Sequence, residues 1–110
     1  MAEIFHIALR PDWDAARADG GPYEISTRGR TRQEVGFIHA CRNHDQVDRV
    51  RRAFYADLDA GSDLVLLVID TDKLDAPVRH EPADGDTYPH IYGPLPLDAV
   101  IHVRPLHVTR

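Results

Sequence analysis

The chain has 110 residues, of which 43% are hydrophobic, and its formal net charge is −5. This length and composition fit one domain with one hydrophobic core, so residues 1–110 are assigned to a single domain. The negative charge argues against bulk nucleic-acid binding, and no apolar run approaches the roughly 20 residues that a membrane span needs.

Cys41 is the only cysteine, so an internal disulfide is excluded, which fits a reducing compartment. Residues 1–6 carry neither a basic segment nor a long apolar stretch. We therefore expect no signal peptide and a cytoplasmic location. The sequence leaves the oligomeric state open.

The first part of the chain predicts a strand, a helix and a short extended segment. Residues 4–9 read as a strand in which His6 lies among apolar neighbours. Asp12 is expected to cap a helix that ends at about Asp19, because Gly20 accepts the left-handed conformation found at helix ends. An extended segment at 23–26 follows, and then a polar loop at 27–34 with room for a residue or two of strand.

A short strand that turns into a helix lies at the centre of the chain. Residues 36–41 predict this strand, and the alternation of strand side chains puts Phe37, His39 and Cys41 on one face. Asn43 then resembles a helix cap. The apolar stripe of that helix runs to about Asp59, with Gly61 closing it, and consists of Val47, Val50, Phe54 and Leu58.

The second half of the chain predicts mainly strands. Residues 63–70 form an almost continuous apolar run, which is typical of a central strand buried on both faces. The other predicted elements are a strand at 78–81, a loop at 82–89, an extended segment at 90–95, a helical turn at 96–99 and a strand at 100–104 with Ile101 and Val103 inward. This order favours an α+β fold with a mixed or mainly antiparallel sheet and two main helices.

Three of the seven histidines suggest a site. His6, His39 and His90 each lie in an extended, apolar segment next to a predicted loop. Each could be a core histidine, but strand ends often meet at one cleft, so we expect the three to share one. The others lie in polar contexts and are interpreted as surface residues: His44, His80, His102 and His107.

Two groups of arginines allow two interpretations. They are Arg28, Arg30 and Arg32 in one loop, and Arg49, Arg51 and Arg52 on one helix. Either these groups form a solvated surface, or they form a patch for a phosphorylated ligand, which guanidinium groups bind in a bidentate manner.

Several motifs together resemble a known family. They are Phe5-His6-Ile7, Gly36-Phe37-Ile38-His39, the run from Leu64 to Asp70, Val78-Arg79 followed by Glu81, and the segment 89–95. From about residue 3 to residue 105 the chain is similar to the small bacterial family called domain of unknown function 952. Family members often have Cys-Ser or a similar pair after the histidine, where this chain has Ala40-Cys41, so the resemblance implies no role for a hydroxyl at that point.

The resemblance implies a fold and, by weaker analogy, a chemistry. The family has been grouped with the ADP-ribosyltransferase-like fold, which includes the tRNA 2′-phosphotransferases. By that analogy His6 matches the first motif position and His39 the second, while the third is either Glu81 or His90. NAD or a related nucleotide is then the implied cofactor or ligand.

This analogy assigns a role to each candidate residue. Glu81 would stabilise the positive charge that develops on a ribose ring, as glycosidase carboxylates do. His6 would hold a ribose hydroxyl, and His39 would transfer a proton near neutral pH. The catalytic candidates are therefore His39, His6 and Glu81, and the ligand-binding candidates are His90, Tyr92, Tyr23 and Ser26.

Three alternatives stay open at the level of sequence. The first is a metal site in which histidines and Glu81 are ligands. The second is a non-catalytic interaction module whose histidines complete a polar cleft. The third, a nucleophilic Cys41, is weak because residues two apart on a strand lie about 6–7 Å from each other, too far for a Cys–His pair.

Overall fold

The structure is a computed structural model that describes residues 2–57 and 64–106. Its helices and mainly antiparallel strands confirm the predicted α+β class. In chain order the elements are β1 (Glu3–Leu9), α1 (Arg10–Asp19), β2 (Ile25–Thr27), β3 (Arg30–Thr31), α2 (Arg32–Val35), β4 (Ile38–His39), α3 (His44–Phe54), β5 (Leu64–Asp70), β6 (Val78–Ala83), β7 (Asp86–Ile91) and β8 (Val100–Pro105). Single turns of 3₁₀ helix lie at Thr71–Lys73 and Leu97–Ala99.

Two three-stranded antiparallel sheets, β1-β5-β8 and β4-β7-β6, make up the body of the fold, and β2 and β3 form a separate ribbon. Phe5 and Cys41 join the two sheets through reciprocal amide-to-carbonyl hydrogen bonds of 2.8 and 2.7 Å. This bridge holds β1 beside the segment that contains β4. It therefore brings His6 and His39 together although 33 residues separate them in the chain.

The central strand β5 is buried along its whole length, as its continuous apolar run predicts. Its two faces pack into different clusters, one with Trp13 of α1 and one with Val47 of α3. The first cluster contains Val65, Leu67 and Ile69, and the second contains Leu64, Leu66 and Val68.

Both predicted helices are present, but only the second has a side-chain cap at its N-terminus. The first begins at Arg10, and Leu9 at its N-cap makes no side-chain cap bond, so the prediction of a cap at Asp12 is wrong. Pro11 suits the first turn because its fixed φ is helical and its missing N–H has no intrahelical partner there. The left-handed Gly20, at φ +83°, ends the helix as predicted.

Asn43 caps α3, since its side chain accepts a 2.9 Å hydrogen bond from the amide of Gln46. The predicted inward position of Phe54 is wrong, because its side chain is 57% exposed. The predicted helix end near Asp59 is also wrong, because α3 ends at Phe54, and the following Tyr55 is buried instead. The predicted Leu58 and Gly61 lie outside the described residues.

Removing the cap of α3 should weaken the fold. We expect Asn43→Ala to lower the free energy of unfolding by about 1 kcal/mol, because the amide of Gln46 then loses its acceptor. Urea unfolding followed by circular dichroism measures this change. Asn43→Asp, which keeps an acceptor oxygen, is the matched control and should stay close to wild type. Equal destabilisation by both variants would contradict a capping role.

The predicted loop at 82–89 is wrong, because β6 and β7 form a tight hairpin there. Asp84 and Gly85 make its two-residue turn with φ of +51° and +80°. An Asp-Gly pair is a strong hairpin signal, which the flanking Pro82 and Pro89 obscured. This hairpin carries Glu81 and His90 on neighbouring strands.

The segment 27–34, predicted as a loop with a residue or two of strand, contains the two-residue β3, as predicted, and the beginning of the four-residue α2, which was not predicted. A capping box between Thr31 and Glu34 closes the first turn of α2.

A further prediction, for β8, is wrong. Val103, predicted to point inward, is 40% exposed, because β8 is the edge of its sheet. Edge strands leave part of one face to solvent, which residue alternation does not reveal.

Candidate functional site

A cleft of about 590 Å³ opens between the two sheets, α3 and the β2–β3 ribbon. His6 from β1, His39 from β4 and His90 from β7 all line it. The antiparallel pairing of β4 with β7 places His39 directly opposite His90. The three histidines that the sequence singles out thus lie on one cavity, brought there by pairing between strands distant in sequence.

His6 is a neutral residue at the base of the cleft, which we call the floor, and is only 2% exposed. Its Nδ1–H donates to the His39 carbonyl oxygen at 2.5 Å, and its Nε2 accepts from the Tyr23 hydroxyl at 2.9 Å. Burial lowers the pKa of His6 to about 4, although the bond to the His39 carbonyl partly opposes this effect. Both ring nitrogens are already bonded, so His6 holds the floor together and has no nitrogen free for a ligand.

Tyr23, a ligand-binding candidate, lies behind His6. Its ring is fully buried and makes an edge contact with His6 at 5.3 Å between centroids. Trp13 packs against its other side at 5.9 Å. Burial raises the pKa of the Tyr23 hydroxyl, which therefore stays protonated and donates to His6. This geometry makes Tyr23 a positioning residue.

His90 is fixed by a carboxylate and by an aromatic ring. Its Nδ1 lies 2.8 Å from Glu81 Oε1, and Phe37 stacks on its ring with centroids 3.9 Å apart. The carboxylate selects the tautomer with the proton on Nδ1, so Nε2 is the nitrogen left for a ligand. Phe37 was not among the predicted site residues, although its alternation with His39 was the signal that could have identified it.

Glu81 and Tyr92 support the site from outside the cleft. The Tyr92 hydroxyl donates to Glu81 Oε1, the oxygen that also bonds His90. These two hydrogen bonds, the one from Tyr92 first, hold the pKa of Glu81 below its usual range. Neither side chain is on the cleft wall, and Tyr92 instead lines a separate hollow beside Gly93 and Leu97.

His39 is exposed and makes no side-chain hydrogen bond within the part of the chain that the structure describes. Its ring stands nearly perpendicular to that of His90, with centroids 5.2 Å apart, and to that of Phe37 at 5.0 Å. Partial desolvation, and then the nearby His90, lower the pKa of His39. A neutral, unbonded imidazole of this kind can accept a proton from a ligand near neutral pH.

Ser26 differs from His6 in that its buried polar atom is not hydrogen-bonded within the described residues. It lies on β2, lines the cleft and is 0% exposed. Its Oγ has no hydrogen-bond partner in residues 2–57 and 64–106. Buried hydroxyl groups are nearly always bonded, so this one requires an explanation.

Three of the six predicted arginines line the cleft, namely Arg28, Arg30 and Arg49. Arg28 forms a two-point ion pair with Asp57 at 2.6 and 3.0 Å, and Arg49 bonds an oxygen of Asp86 at 2.8 Å. Arg30 has no ion pair among the described residues. The other arginines lie away from the cleft and pair locally: Arg32 with Glu24, and Arg51 and Arg52 with Asp48.

Cys41 also lines the cleft and is 3% exposed. Burial raises the pKa of its thiol to about 12. The thiol is therefore protonated at neutral pH, which gives the nucleophile alternative no support. Its place in the fold is explained by the backbone bridge to Phe5.

No three His, Cys, Asp or Glu residues in the described ranges are arranged to hold a metal ion. The metal alternative thus gains no support, since His6 has no free nitrogen. Over the same ranges each helix is too short or too polar to traverse a lipid bilayer.

Comparison with known proteins gives a family and structural neighbours. The X-ray structure of protein CC0527 from Caulobacter crescentus is 28% identical, with a TM-score of 0.69 over 96% of this chain and 86% of that chain. The solution NMR structure of CC0527 is also 28% identical, with a TM-score of 0.72 over 97% and 86%. No curated protein matches the sequence. A family model described as "Protein of unknown function (DUF952)" matches residues 7–103, so the chain belongs to that family.

Proposed function

We propose that the cleft binds a small phosphorylated ligand of nucleotide type, and that His39 and His90 face its reactive part. One observation carries this proposal. Two perpendicular imidazoles with centroids 5.2 Å apart, His39 and His90, each have a ring nitrogen without a partner among the described residues, in a cleft edged by arginines. Proton transfer and phosphate binding are the chemistry that this combination of groups serves.

The size and lining of the cleft agree with such a ligand. Its volume of about 590 Å³ falls within the range of small-molecule sites, roughly 300–1,000 Å³. Arg30 has no ion pair within residues 2–57 and 64–106, so it can meet a phosphate without first leaving a partner there. Tyr88 and Phe54 add aromatic surface to the wall, against which a flat ring can pack.

Proton transfer by histidine is better supported than stabilisation of a ribosyl cation by a carboxylate. Glu81 lies behind His90, and its Oε1 bonds both His90 and Tyr92. A carboxylate in that place orients His90, and its charge is separated from the cleft by the imidazole ring. The ADP-ribosyltransferase-like fold and an NAD-cleaving reaction stay predictions, and the proposal rests on binding and on acid–base chemistry.

A ligand panel tests the proposal. Isothermal titration calorimetry with NAD, ADP-ribose and adenosine 2′,5′-bisphosphate should give a dissociation constant below about 1 mM for at least one compound. We expect His39→Ala to weaken that binding by roughly tenfold or more, because a hydrogen bond to a charged phosphate contributes about 1.5–3 kcal/mol. A nicotinamide-release assay with NAD then reports whether the bound ligand is turned over.

His80→Ala is the matched control, because His80 is an exposed histidine outside the cleft. It should bind as the wild type does. Both variants should keep wild-type stability to within about 0.5 kcal/mol, since each replaces an exposed side chain. Folded protein that binds no member of the panel would refute the proposal and favour an interaction module.

A further inference from the structure

The lining of the cleft changes from buried and uncharged at its base to exposed and charged at its mouth. We call the base the floor; it consists of Phe5, His6, Ile7, Ser26, Ala40 and Cys41, each at most 8% exposed. We call the mouth the rim; it consists of Arg28, Arg30, His39, Arg49, Phe54 and Asp84, all exposed. A bound molecule would therefore meet two different environments at its two ends.

The floor disfavours charge. Its titratable groups are His6, whose pKa of about 4 keeps it neutral at pH 7, and Cys41, whose pKa of about 12 does the same. Bringing an ion into such surroundings without a counter-ion costs far more than bringing in a neutral polar group. A phosphate, or a cationic ring, would thus be disfavoured at the base of the cleft.

Ser26 provides the recognition element of the floor. Its hydroxyl is fully buried and has no partner in the described part of the chain, whereas the polar atoms of neighbouring His6 are all bonded. Leaving a buried hydroxyl unbonded costs roughly 1–3 kcal/mol in the free protein. A ligand atom that bonds Oγ after a change of the Ser26 rotamer would recover that free energy.

The rim provides a place for phosphate. Arg28 and Arg49 are held by Asp57 and Asp86, which fixes their guanidinium groups but reduces their net charge. Arg30 forms no such ion pair among the described residues, although its charge also acts on the Glu34 carboxylate. Arg30 is therefore the rim residue best suited to an anion, although Asp84 also lies on the rim.

We propose that a nucleotide enters this cleft with its neutral base on the floor, where Ser26 Oγ bonds it, and leaves its phosphates at the rim beside Arg30. This inference rests on the proposed function. It adds which end of the ligand enters the cleft, and that this end is an uncharged base. A cationic ring such as oxidised nicotinamide should be rejected by the floor. For a dinucleotide such as NAD, the adenine end should therefore be the one that enters.

Three probes test the direction of binding in ¹⁵N-labelled protein, namely ADP, pyrophosphate and nicotinamide mononucleotide. ADP should shift the backbone amide signals of the floor residues Ser26 and Cys41 as well as those of Arg28 and Arg30. Pyrophosphate should shift only the rim signals. Nicotinamide mononucleotide, which carries a cationic ring, should leave the floor signals in place.

Two variants separate the ends of the cleft. Ser26→Ala should weaken ADP about fivefold and leave pyrophosphate unchanged, which corresponds to one neutral hydrogen bond. Arg30→Gln should weaken ADP and pyrophosphate by the same factor. Ser26→Ala should also have a melting temperature no lower than wild type, because it removes a hydroxyl with no partner in the described chain.

The outcomes distinguish this inference from the proposed function. ADP that shifts only rim signals, or that binds Ser26→Ala as tightly as wild type, overturns the inference and leaves the proposed phosphate-binding cleft standing. The same holds if nicotinamide mononucleotide reaches the floor or if Ser26→Ala melts lower than wild type. If ADP does not bind, the inference is overturned. If NAD, ADP-ribose and adenosine 2′,5′-bisphosphate do not bind either, the proposed function is refuted as well.

Discussion

The protein should lose about 3 kcal/mol of stability between pH 7 and pH 4 through His6 alone, since its pKa falls from 6.5 to about 4 on folding. In this window the unfolded chain binds a proton at His6 and the folded chain does not. Acid therefore favours the unfolded state. The stabilisation is fully present above about pH 6.5 and is lost as the pH falls towards 4.

Urea unfolding at pH 7, 6, 5 and 4.5 measures this dependence. The lowered pKa of His39 acts in the same direction, so a variant is needed to isolate His6. His6→Gln should be less stable than wild type at pH 7, and the difference between the two proteins should shrink as the pH falls. His80→Ala, at an exposed position, should keep the wild-type slope.

A constant difference between wild type and His6→Gln across these pH values would contradict the buried, neutral state of His6. NMR titration of the His6 ring in the wild type provides a direct check that does not depend on the variant folding. A ring that titrates near pH 6.5 would refute the same interpretation. The folded state would then have to accommodate an imidazolium between the His39 carbonyl and Tyr23.

We expect Leu67→Ala to lower the free energy of unfolding by about 3 kcal/mol, because it opens a cavity in the centre of the core. Leu67 is fully buried on β5 and packs in the cluster that contains Trp13 and Tyr23. It is also the cross-strand partner of His6. The substitution should therefore loosen the support of the cleft floor as well as the core.

Val103→Ala is the control, because Val103 is a 40% exposed aliphatic residue on the edge strand β8. Its cost should be below about 1 kcal/mol, since little buried surface is removed. Denaturant unfolding at pH 7 compares the two variants. A larger loss for Val103→Ala than for Leu67→Ala would mean that β5 is not the centre of the core.

Predictions from local patterns were correct where one physical signal dominated. The apolar run at 63–70 led to the buried strand β5, and Gly20 and Asn43 marked a helix end and a helix start. The hairpin turn at Asp84-Gly85 was missed because the two prolines outweighed it. Prolines in a hairpin are tolerated at positions whose N–H is not needed, a feature that depends on the pairing of the strands.

The roles of the candidate residues could not be obtained in the same way. His6, His39 and His90 look alike in sequence, as histidines within apolar strands. Their surroundings separate them: His6 has both nitrogens bonded, His90 is held by Glu81, and His39 has no side-chain hydrogen bond in the described chain. Those partners come from residues far away in the chain, which no local pattern specifies.

The sequence by itself determined the α+β class, the central strand, the C-terminal end of α1, the N-cap of α3 and the family of the chain. Alternation, continuous apolar runs and caps act over a few residues, so they can be read without coordinates. Only the tertiary structure decided that Glu81 and Tyr92 stand behind His90, that a buried Ser26 and an exposed Arg30 line the same cleft, and that Val103 is exposed. These features depend on which strands pair and which edges are covered, because pairing between distant segments sets the burial, the partners and the charge of every side chain in the site.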